Sequence, residues 1–79
     1  MDINSRVREL RLALGLSMAA FGLRLGMTRQ AISRIESGRV AVTLRTQRII
    51  ILTDWDGRTV NPDWLSSGSG DMFDAPQKR

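Results

Sequence analysis

Between Leu16 and Arg39 the chain reads LSMAAFGLRLGMTRQAISRIESGR, and this stretch limits the possible folds more than any other. Two short amphipathic segments, Ser17–Leu25 and Thr28–Ser37, stand on either side of Gly26-Met27. Each opens on a hydroxyl residue, Ser17 or Thr28, which can accept a hydrogen bond from an unpaired amide of the first helical turn. Phe21, Leu25, Ile32 and Ile35 recur at helical spacing, so each segment has one face to bury. Gly26 falls where the first segment must stop and reverse, a place that favours positive φ and therefore glycine.

Turning Ile32 and Ile35 inward sends Arg29, Gln30, Ser33 and Arg34 outward or to the flank, by the 3.6-residue period. These side chains have the chemistry that reads base edges: Arg for guanine O6 and N7, Gln for adenine N6 and N7, Ser for either. Two helices, a tight glycine turn and a basic polar face on the second helix describe a helix-turn-helix. An ordinary solvated helix face is the competing view. Capping, periodicity and side-chain chemistry agree against it.

The same residues resemble the phage-repressor/Cro-type (Xre-like) helix-turn-helix family. The resemblance is carried by Leu16-Ser17-Met18-Ala19-Ala20-Phe21-Gly22 and by Thr28-Arg29-Gln30-Ala31-Ile32-Ser33-Arg34-Ile35-Glu36-Ser37-Gly38-Arg39. It extends more loosely to Asn61-Pro62-Asp63-Trp64-Leu65 and the Gly68, Gly70, Met72, Phe73 ending, which is similar to prophage-type members. The resemblance implies an all-α, five-helix lambda-repressor-like DNA-binding domain. It also implies that Thr28 touches phosphate, that Arg29, Gln30 and Arg34 occupy base-reading positions, and that Arg39 is a phosphate clamp. Met18 departs from the family, which commonly has a phosphate-binding Gln there. Arg24, or the backbone amides at the start of that helix, could offset the loss.

With 79 residues there is room for one small domain. The expected division is a DNA-binding domain over residues 1–66 and a flexible Ser/Gly-rich tail over 67–79. A chain of this size buries only about 60% of its unfolded surface, which makes a homodimer plausible. The charge is uneven. Up to Ile50 there are nine Arg against three acids, +6; beyond it, three basic residues against five acids, −2. A basic body suits a polyanion, and arginine has a planar fork that lysine lacks.

Taken in order, Asp2 or Asn4 can cap a first helix over Ser5–Leu14, with Val7, Leu10 and Leu14 as its inward stripe. Arg6, Arg8 and Arg11 fall away from that stripe. For them a solvated face, an ion pair with Glu9 and a phosphate contact are all open, Arg11 being the best phosphate candidate. Glu36 lies too far along its helix to reach a base, so a salt bridge is its expected role. Gly38 should end that helix in a left-handed turn. Thr43 is the expected cap of a fourth helix, with Arg45, Thr46 and Arg48 as further backbone contacts.

Leu44–Asp54 suits helix or strand by its three consecutive isoleucines, and Asp56-Gly57 is a hairpin turn signal. A lone hairpin would leave unpaired edges, so helix is preferred. The chain carries a few residues beyond the family pattern around Trp55–Thr59. Asn61-Pro62 should start a last short helix that points Trp64 into the core, with a dimer interface as the second choice. Met72-Phe73 could dock on a partner or be unstructured.

The candidate site is therefore Arg29, Gln30, Ser33 and Arg34 for bases, with Ser17, Thr28, Arg39, Arg45 and Arg11 for phosphate. No cysteine, histidine or clustered carboxylate has ligand or triad spacing, so neither a metal site, a cofactor nor an enzyme is expected. Nothing points to a small-molecule ligand. No apolar run approaches the roughly 18 residues of a membrane span, and the first residues lack a signal pattern. A cytoplasmic location follows as the expectation. The leading function is a sequence-specific regulator of double-stranded DNA, a phage-type repressor acting as a homodimer. A protein-binding module of the same fold, such as an antitoxin, is the alternative.

Overall fold

A computed structural model describes residues 1–74. Among them the chain forms five helices: α1 Ile3–Ala13, α2 Met18–Leu25, α3 Arg29–Glu36, α4 Leu44–Leu52 and α5 Pro62–Ser67. Each starts at a side chain that accepts a hydrogen bond from a first-turn amide. Asp2 takes Ser5, Ser17 takes Ala20, Thr28 takes Ala31, Thr43 takes Thr46 and Asn61 takes Asp63. Because Asp2 rather than Asn4 is the first cap, α1 begins two residues before the expected Ser5, and Asn4 is left for other work.

The helices close over a core of Val7 and Leu10 from α1, Phe21 and Leu25 from α2, Ile32 and Ile35 from α3, and Ile50 from α4. Val42, Trp55, Val60, Trp64 and Leu65 complete it. Leu44–Leu52 is a helix, which settles the helix-or-strand ambiguity. Only Ile50 of the three isoleucines is fully buried, while Ile49 and Ile51 are half-buried on its two sides. Consecutive helical residues spread around the axis, so three in a row cannot all face one core.

The hairpin signal at Asp56-Gly57 is also realised, without a sheet. Asp56 and Gly57 take φ of 54° and 89°, and Trp55 and Arg58 exchange backbone hydrogen bonds of 2.8 and 3.2 Å. Positive φ at both central residues is the turn type that Asp-Gly favours. It folds Trp55 back so that its ring stacks on Phe21, with centroids 5.3 Å apart, and its indole N–H donates to the Ile50 carbonyl.

The boundary expected after residue 66 needs correction. Helix α5 runs through Ser67, and the chain then returns along residues 59–61. Asn61 N–H donates to Met72 O, Asp74 N–H donates to Thr59 O, and Arg58 lies over the Phe73 ring at 4.5 Å. Met72 and Phe73 are half-buried against the core of their own domain. The rest of the expected tail, 75–79, lies outside the described residues.

Helix α1 is flanked by α3 on one side and α5 on the other. Its polar flanks are therefore covered, and the expectation that Arg6 and Arg11 lie away from the packed side fails. Arg6 is buried and donates to the carbonyls of Met1, Leu65 and Ser66, capping the end of α5. Arg8 is exposed, as expected.

Candidate nucleic-acid interface

The α2–turn–α3 unit depends on close approach. Gly26 takes φ 69° and ends α2, and Met27 N–H donates 2.8 Å to the Gly22 carbonyl. A Cβ built on Gly22 would lie 2.6 Å from Met27 O, 3.2 Å from a side-chain carbon of Ile32 and 3.3 Å from Thr28 O. Only a residue without a side chain lets the turn fold this tightly onto α2. The sequence placed Gly22 at the small position of the motif without giving it a packing role. Its signal was a glycine inside a helix, which costs about 1 kcal/mol relative to alanine unless packing requires it.

With Ile32 and Ile35 buried, Arg29, Gln30 and Arg34 stand exposed on α3, and Ser33 is half-buried at its flank. Arg34 is linked to Arg39 through the backbone, because Arg39 N–H donates 2.9 Å to the Arg34 carbonyl across the turn at Gly38. Arg39 is exposed, as are Ser17, Thr28 and Arg45. The Ser17 and Thr28 hydroxyls accept from helix amides, which leaves each O–H able to donate to an anion.

The electrostatics of this face follow from one pairing. Between Ser17 and Arg48 the only acid is Glu36, against Arg24, Arg29, Arg34, Arg39, Arg45 and Arg48. Glu36 is turned inward and clasped by Arg11. Arg11 Nε donates 2.6 Å to Oε2, Nη2 donates 3.0 Å to Oε1, and Nη1 donates 2.9 Å to the Leu16 carbonyl. The hydrogen bonding to Glu36, helped by its charge, holds the Arg11 guanidinium above its ordinary pKa. The outer face of the unit therefore carries no negative side chain.

Arg11 was the first-helix phosphate candidate, and this geometry overturns it. Its three nitrogens are all engaged inside the protein, and the residue is only 8% exposed. Its partner is Glu36, across the helix pair, rather than Glu9. Arg24 stays exposed while donating through Nη2 to the Asp54 carbonyl and lying 5.1 Å over the Trp55 ring. Met18 itself packs on the core.

Residues 7–49 match the model of the helix-turn-helix family, more than half of the chain. The chain belongs to that family. Membership in this Xre/lambda-repressor-like helix-turn-helix family agrees with the five-helix architecture and makes DNA binding in transcription regulation the function class. The matched span begins inside α1 at Val7, holds all of α2 and α3 and ends within α4; the first turn of α1, Trp55 with its turn, and α5 lie beyond it. No solved structure matches the chain significantly. No helix among the described residues is long and apolar enough to cross a membrane.

Proposed function

We propose that this helix-turn-helix protein is a repressor of phage or prophage type that reads double-stranded DNA in the major groove as a homodimer on a two-fold operator. Helix α3 enters the groove, with Arg29, Gln30, Ser33 and Arg34 on base edges. Ser17, Thr28, Arg39 and Arg45 hold the flanking phosphates and fix the register. Two copies of α3 set about one helical turn apart double the contacts, and occupancy of the same duplex excludes polymerase.

The observation that carries this reading is the polar face of α3. It presents two arginines and a glutamine to solvent, while the one nearby acid is drawn inward by Arg11. Phosphate attraction there is unopposed by any neighbouring carboxylate on the unit. In the protein-partner alternative the apolar tail would matter more than the arginines, and Met72 and Phe73 of that tail are half-buried against their own domain.

Selection of bound sites from a random duplex library tests the proposal. The expected result is an enriched motif of two inverted half-sites about 10 base pairs apart centre to centre. Affinity should also fall steeply with salt, log K dropping about 0.9 per phosphate contact per log unit. A pool with no enriched sequence would sink the reading, and a single unrepeated half-site would remove the dimer from it.

A further inference from the structure

We propose that Asn4, on the first turn of α1, is a positioning residue for DNA binding that acts through Arg39. The inference rests on the reading of Arg39 as a phosphate contact. Asn4 Nδ2 donates to Ile35 O and to Val40 O, each at 2.8 Å. One amide group thus brackets the chain from the last turn of α3 to just past Arg39.

That stretch has little else to hold it. Ser37, Gly38, Arg39, Val40 and Ala41 are all exposed, and core contact resumes only at Val42. The near end is secured by Arg39 and Val40 N–H groups converging on the Arg34 carbonyl, at 2.9 and 3.4 Å. The far end has the Asn4 bond. Neither carbonyl needs Asn4 for satisfaction, since Ile35 O also accepts from Gly38 N–H at 3.1 Å and Val40 is open to water. What Asn4 supplies is placement. It joins the loop to the same helix whose Arg11 clasps Glu36, so the Arg39 backbone and the reading face of α3 share one rigid frame.

A residue with this role should change how firmly phosphate is held and leave base preference alone, because base contacts specify and phosphate contacts position. A purely structural residue would instead shift melting temperature without a specific link to Arg39.

The test is a double-mutant cycle on the selected duplex, with Asn4→Ala, Arg39→Ala and both, read by binding at several salt concentrations. Asn4→Ala should weaken binding roughly three- to tenfold, equally on the selected site and on its single-base variants. Its salt dependence should move toward that of Arg39→Ala, and in the Arg39→Ala background it should cause no further loss. Asn4→Leu keeps much of the shape without the donor and without adding charge, and should behave as Asn4→Ala; it serves if the alanine variant does not fold. Additive losses, altered base preference or unchanged affinity on the selected site would each overturn the inference while the DNA reading stands. If the wild-type protein bound no duplex, both would fall.

Discussion

Arg11 and Glu36 form a two-pronged ion pair between α1 and α3, with side chains only 10% and 3% exposed. The pair ties α3 to α1 and turns inward the one carboxylate between Ser17 and Arg48. Taking away one partner leaves a buried charge unmatched, so Arg11→Met or Glu36→Leu should each destabilise the fold by about 3–5 kcal/mol. The double variant should recover most of that loss, since two apolar side chains leave no charge stranded. Urea unfolding of the wild type and the three variants gives the comparison. Losses that simply add would contradict the coupling.

Arg29, Arg34 and Arg39 have the same side chain and should fail differently. Arg29→Ala and Arg34→Ala are expected to lower affinity by about 1–3 kcal/mol each and to relax preference at particular base pairs. Arg39→Ala should weaken all sequences alike and reduce the salt slope by about one. Binding to a panel of single-base variants separates the two patterns. Uniform loss from Arg29 and Arg34 would place them on the backbone.

Trp55 is 1% exposed, stacked on Phe21 and hydrogen-bonded to the Ile50 carbonyl. Trp55→Ala should cost about 3–5 kcal/mol by opening a cavity under α2 and α4. It also removes the ring under Arg24. Trp55→Phe keeps most of the packing and should lose less. Thermal unfolding would show the order, and a near-silent Trp55→Ala would mean the core closes without it.

Two glycines test different demands. Gly22→Ala pushes a methyl group into the Met27 carbonyl and should cost about 1–3 kcal/mol by forcing α2 and α3 apart. Gly15 has positive φ but open space around its missing Cβ, so Gly15→Ala should cost about 1 kcal/mol from backbone strain alone. DNA affinity measured on folded protein should fall for Gly22→Ala and hold for Gly15→Ala. Equal effects would mean the close approach does not set the α3 angle.

Asp2 has its carboxyl pKa held below the ordinary 3.8, chiefly by the hydrogen bond from the Ser5 amide and then by the Ser5 hydroxyl. A lowered folded-state value means the cap stabilises α1 fully above that ordinary value. The contribution is lost as pH falls from there through the folded-state value. Following the Ser5 amide by NMR across an acid titration should show a midpoint below 3.8, and Asp2→Asn should abolish it. A midpoint at or above 3.8 would contradict the cap.

The starts of α2 to α5 were legible in the chain because a capping side chain and the amide it binds lie only two or three residues apart. The same local range sets the alternation that buries Ile32 and Ile35 and exposes Arg29, Gln30 and Arg34. Asp56-Gly57 announced its turn for that reason too. The fates of Arg6, Arg11 and Arg24 were not legible. Nothing in their neighbourhoods separates them from an arginine bound for DNA, and their partners lie 59, 25 and 30 residues away. Whether a guanidinium meets water or a distant carbonyl or carboxylate is decided only when helices pack. So it was with Trp55, whose turn was readable and whose seat on Phe21 was not, and with Met72 and Phe73, docked across the start of α5. Sequence determined which segments are helical and which face of α3 is polar, because those are short-range properties of the backbone. Tertiary structure decided which charges remain on the surface, because burial depends on what the rest of the chain brings alongside.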